Sequence, residues 1–158
     1  MTTKSVPELA VEIALEEARR GVFETNNDNR GGRIDEYAKL AGPGMGGLAW
    51  CAMFVFWCFE QAATRSGAKN PMPRIFLASQ LEVWGTRERK VVTTPALGDI
   101  LIKEHRHAGL CTGPALPGGT FPSVEGNTWA NTDFAHRREG VYVLKNEKIA
   151  KCTFFRLS

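Results

Sequence analysis

Apolar residues at helical spacing in the first half of the chain, strand-like stretches in the second, and short turn signals between them predict an α+β domain. The helices come first and an antiparallel sheet follows, in a single domain whose helical part covers about residues 1–90 and whose sheet part covers about 91–158. Ser5 and Glu8 read as a capping box, and Val6, Leu9, Ala10, Ile13 and Ala14 follow at helical spacing until Gly21. Acidic residues come early in this helix and Arg19 and Arg20 come last, which suits its dipole. Residues 25–32 are turn-rich and read as a loop. They lack the alternating acidic ligands of a calcium loop. A short helix over 34–41 ends at Gly42 and Pro43. From Trp50 the chain is apolar on nearly every helical face to about Ala63, which marks the buried centre of the fold. A further helix is expected over 75–84, stopped by Gly85. Strands are expected over 91–93, 99–103, 107–112, 124–127, 141–145 and 152–157, packed as an antiparallel sheet on the central helix.

Size and composition exclude several classes. A chain of 158 residues can bury about two-thirds of its unfolded surface without metal or disulfide staples. Its hydrophobic content of 43% and charged content of 23% are those of an ordinary globular domain. The net charge of +3 is mild and the basic residues are scattered, which argues against a dedicated nucleic-acid binder and fits weak attraction to an anionic surface. Cys51, Cys58, Cys111 and Cys152 contain no C-x-x-C pair, so neither a zinc site nor a disulfide framework is signalled, and one disulfide among the last three stays open. No cofactor or metal is expected. Glu8, Glu12, Glu16 and Glu17 interrupt the N-terminal segment, so it does not read as a secretory signal. The longest apolar stretch, 48–59, is too short to span a bilayer, and no stable membrane insertion is expected.

Cys51 stands where the central helix begins, after the flexible run of residues 42–47. A thiolate there would face unsatisfied N–H groups and the positive end of the helix dipole, lowering its pKa from about 8.5. That is how a thiol becomes a nucleophile. It needs a base within hydrogen-bond reach and a third group to orient the base. His107 opens the short apolar strand HAGLC, placed to lay its ring across the helix start. His105, two residues earlier, competes for the role if the strand extends back. His136 lies in a charged loop and reads as exposed. Glu125 and Asn127 flank Gly126, and strand alternation would send both to one face, where either can accept from the second ring nitrogen.

The block WCAMFVFWC at residues 50–58, PALGDI at 95–100, HAGL at 107–110 and EGN at 125–127 together resemble the CHAP family, the cysteine- and histidine-dependent amidohydrolases/peptidases. The resemblance covers residues from about 42 to 144. It implies a papain-like fold and cleavage of bacterial peptidoglycan, as an N-acetylmuramoyl-L-alanine amidase or an endopeptidase. Carried over by position, Cys51 is the nucleophile, His107 the base and then acid, Glu125 its orienting group, and Asn127 a fourth polar member that positions the imidazole or polarises the carbonyl. The family's acidic calcium loop, found in some phage members, is not matched. The expected setting is a monomer made in the cytoplasm without a signal peptide and acting on the wall, as a secreted antibacterial effector or a phage endolysin. A secretion carrier or an immunity protein is the implied partner. The competing expectation is a non-catalytic envelope- or partner-binding module on the same scaffold, gripping through Trp129, Phe134, Arg137 and Arg138. Bond specificity is expected in loops 114–122 and 131–138.

Overall fold

A computed structural model describes residues 3–129 and 138–158. His136, Phe134, Arg137 and most of the expected 131–138 specificity loop lie outside the described residues. Helix α1, Val6–Arg20, opens on the reciprocal cap read from the sequence: Ser5 Oγ accepts from the Glu8 N–H, and the Glu8 carboxylate accepts from the Ser5 N–H at 2.7 Å. Gly21, in the left-handed region at φ 74°, closes it. Helix α2 is Gly32–Ala41. Helix α3, Cys51–Ser66, runs past Ala63 until Gly67 adopts φ 67°. Its first nine residues, Cys51 through Phe59, are all buried, so this helix forms the centre of the core.

Helix α4 is Ala78–Arg87, three residues later than its apolar pattern predicts. Gly85 lies inside it rather than after it. A Cβ at Gly85 would sit 2.4 Å from Phe155 Cδ1, so the glycine serves close packing of α4 on the sheet and does not end the helix. Ile75 and Phe76 precede the helix and pack against the core from an irregular segment.

Six strands, β1 (Val91–Val92), β2 (Ile100–Lys103), β3 (His107–Cys111), β4 (Thr120–Thr128), β5 (Gly140–Lys148) and β6 (Cys152–Phe155), form one antiparallel sheet in the order β1-β6-β2-β3-β4-β5. The fold is therefore α+β, as expected. β4 begins at Thr120 rather than 124 because Pro122, which cannot donate to the ladder, sits at a register shift between Phe121 and Ser123. One face of the sheet sends Ile100, Ile102, Ala108, Leu110 and Val124 into the core with α3. The other face carries a second apolar cluster of Leu101, Cys111, Phe121 and Phe154. All four cysteines are free thiols. Cys58 is sealed in α3, while β2 separates the strands of Cys111 and Cys152, so no disulfide forms among the three. Among the described residues no helix is long and apolar enough to cross a membrane.

Candidate active site

The start of α3 has no cap from its own chain segment. Trp50 occupies the N-cap position, and its backbone N–H donates to Oδ1 of Asn127, on β4, at 2.8 Å. The helical ladder opens with Phe54 N–H donating to Trp50 O at 2.9 Å, so the N–H groups of Cys51, Ala52 and Met53 have no intrahelical acceptor. Two backbone donors, Ala108 and Ala52, reach the Cys51 sulfur. Cys51 is only 6% exposed, so its side chain is largely shielded from solvent.

His107 comes from the first position of β3, opposite Lys103, where the turn of Glu104, His105 and Arg106 closes the hairpin. Its Nε2 pairs with Glu125 Oε1 at 2.7 Å, and the ring also bonds the Cys51 side chain. With Nε2 committed to the carboxylate, Nδ1 is the nitrogen left for sulfur. Burial pushes the Cys51 thiol up, but the hydrogen bond to His107, the charge of that ring and the two backbone donors outweigh it, so the pKa falls below its ordinary value. Burial would lower the His107 pKa, yet its bonds to Cys51 and Glu125 raise it to about 9. Both shifts favour a thiolate–imidazolium pair at neutral pH.

Glu125 is fully buried. Burial alone would raise its pKa, but the bond from His107, the charges of His107 and Lys103, and a bond from Ser123 Oγ hold it below the usual carboxylate value. Lys103 Nζ lies 3.4 Å from Glu125 and 2.9 Å from Glu147, so it shares its charge between them. Space for the carboxylate comes from Gly109. A Cβ there would meet Glu125 Cγ at 2.5 Å and Leu101 Cδ2 at 3.3 Å. Gly109→Ala should therefore cost about 1–3 kcal/mol of stability through overpacking. It should also displace Glu125, so that the His107 pKa, followed by NMR titration of the ring, falls from about 9 towards 6.5. An unchanged titration would show that the carboxylate does not depend on this glycine.

Two expectations differ from the geometry. Asn127 does not bond the imidazole: its hydrogen bonds go to Trp50, Glu24, Asn29 and Glu139. The reason is a bulge between Glu125 and Thr128, with Asn127 at φ 58°, which breaks the alternation expected to keep Glu125 and Asn127 on one face. His105 does not share the His107 face either. The strand stops at His107, and His105, at φ 62° in the turn, directs its ring to Glu82 Oε1 on α4 at 2.6 Å. The expected specificity segment 114–122 leaves from Cys111, the end of β3 opposite His107.

Beside His107 lies a cleft of about 360 Å3, lined by Lys103, Glu104, Arg106, Asn127, Thr128 and Trp129. Ser123 lies outside the quoted motifs, although it stands two residues from Glu125 on the same strand and so shares its face, and Gly109 lies within HAGL without a role assigned to it. Glu24 and Glu139, which bond Asn127, carry no such signal, being remote from one another in sequence. Cysteine, histidine and carboxylate in this order of contact can supply a nucleophile, a proton carrier and the group that fixes the carrier's tautomer. No family model matches the chain, and neither a curated protein nor a solved structure matches it.

Proposed function

We propose that this protein is a peptidoglycan hydrolase of the CHAP type, with the papain-like arrangement of that family, cleaving an amide bond of the stem peptide. The observation that carries the proposal is the continuous contact from Cys51 at the tip of α3, through His107, to the buried Glu125. The Cys51 thiolate attacks the amide carbonyl carbon, forming a C–S bond while the carbonyl electrons move to oxygen. The N–H groups at the start of α3, which have no intrahelical acceptor, and the positive end of its dipole favour that developing charge. Collapse breaks the C–N bond as His107 gives its proton to the leaving amine. Water then attacks the thioester and surrenders a proton to His107, and the C–S bond breaks to release the carboxylic product and the thiolate. Glu125 stabilises the imidazolium and keeps Nδ1 on the sulfur.

The cleft also supports this substrate class. Lys103, Arg106 and His107 line it beside Glu104, and their N–H donors can meet the free carboxylates that stem peptides carry. The N-acetylmuramoyl-L-alanine bond and the bonds within the stem are the two candidate targets. Access to the wall would come by export as an antibacterial effector, restrained by an immunity protein, or by release as a phage endolysin. Digestion of purified peptidoglycan followed by mass spectrometry tests the proposal: each cut adds one water and exposes one new amine, whose position names the bond. Binding to the wall with no soluble product would instead favour a non-catalytic module, for which Trp129, 39% exposed at the cleft, supplies the grip.

A further inference from the structure

Trp50, the residue immediately before the nucleophile, is held at both of its donors. Its backbone N–H donates to Asn127 Oδ1 at 2.8 Å, and its indole Nε1–H donates to Glu24 Oε1 at 2.9 Å. The ring is fully buried, set edge-on to Phe54 and against Gly126, where a Cβ would come within 2.7 Å of it. Asn127 is itself fixed by acids. Its Nδ2 lies 2.9 Å from Glu139 Oε2 and 3.3 Å from Glu24 Oε1, while the other Glu24 oxygen accepts from the Asn29 N–H at 2.9 Å. Glu24 is fully buried, and its segment is tied to Glu139 through the backbone, Glu24 N–H donating to Glu139 O at 2.8 Å.

An amide between two carboxyls has one stable orientation. The NH2 must face the acids and the Asn29 oxygen, so its own oxygen must face Trp50; flipped, that oxygen would oppose three acceptors and leave the Trp50 N–H without this partner. We propose that Glu24 and Glu139 act as positioning residues for the nucleophile, locking Asn127 into the orientation that caps α3 and so setting the place of Cys51. The inference rests on Cys51 being the reactive thiol of the proposed function. It assigns to two acids far from the motif the task of holding the α3 start where the Ala52 and Ala108 N–H groups and His107 reach sulfur. Burial and the adjoining Glu24 raise the Glu139 pKa to about 7, opposed by the charge of His107 and the bond from Asn127, as expected of two acids crowded round one amide.

Alkylation of Cys51 by iodoacetamide in the full-length protein, mapped to its peptide by mass spectrometry, tests this without any substrate. Asn127→Asp keeps the acceptor for Trp50 but sets a third carboxylate against the other two. It should raise the Cys51 pKa by about one unit and slow alkylation about tenfold at a pH below the wild-type Cys51 value. Adding Glu139→Gln to Asn127→Asp restores a donor–acceptor pair with the polarity reversed, and should recover the wild-type rate to within about twofold. Glu24→Gln can keep an oxygen on Trp50 Nε1 and Asn127 Nδ2 only by setting its NH2 against the Asn29 N–H, and should slow alkylation on its own. Alkylation of Asn127→Asp at the wild-type rate, or a double variant no faster than the single, overturns the proposal. Where Asn127→Asp does not fold, recovery of a cooperative unfolding transition in the double variant supports the lock, and failure of both overturns it. If alkylation follows these expectations while peptidoglycan stays uncut, the hydrolase reading falls and the positioning role stands.

Discussion

Cys51→Ser should abolish hydrolysis of purified peptidoglycan while leaving the fold in place. The two side chains are close in size, so the buried position, 6% exposed, stays filled. Its cost should stay near 1 kcal/mol, a shift of about 2–4 °C in the unfolding midpoint. Turnover should fall by ~10⁴-fold or more, because a hydroxyl in this site has no stable anionic form for His107 to pair with. The same variant should lower the raised His107 pKa, since the bond and charge of Cys51 are among its causes while those of Glu125 remain. Product release from peptidoglycan above about a tenth of the wild-type rate would assign the nucleophile elsewhere.

His107→Gln should be nearly as severe, and the pH–rate profile explains why. In the proposed mechanism the reactive form is the thiolate with a protonated ring. As pH falls through the depressed Cys51 value, the sulfur gains a proton and the rate drops; as pH rises through about 9, His107 loses the proton that the leaving amine needs, and the rate drops again. The profile of kcat/KM should therefore be a bell whose alkaline limb lies near pH 9, with both limbs belonging to the coupled pair. In His107→Gln the downward pulls from the ring are gone and burial remains, so the thiol is protonated at neutral pH. Turnover should fall by about 10²–10⁴-fold. The glutamine can still donate to Glu125, which avoids leaving that buried carboxylate without its main partner. His105→Ala should retain wild-type turnover, since that ring is 82% exposed and bonded to Glu82. Loss in His105→Ala with retention in His107→Gln would reverse the assignment.

How much of this was legible beforehand depends on whether the signal is local. The cap at Ser5, the start of α3 at Cys51 and the hairpin that presents His107 follow from neighbouring residues and hydrophobic period, and each stands where it was expected. Gly85 misled because glycine in a helix reads as a stop, whereas here it answers to Phe155, seventy residues later in the chain. Pro122 hid the first half of β4 because a proline in a strand is tolerated only where the ladder is already broken.

The amino-acid order by itself determined the α+β class, the buried central helix with a cysteine at its tip, and the strand positions of His107 and Glu125. These are matters of residue type and period, which act over a few positions. Tertiary structure alone decided that Glu125 is sealed against Ser123, Lys103 and Gly109, that Asn127 turns through a bulge to cap α3, and that Glu24 and Glu139 hold it there. Hydrogen bonds between residues about a hundred positions apart, such as Asn127 to Glu24, leave no periodic trace in a chain. Their formation depends on the sheet bringing remote polar groups out of water together, where each must find the other.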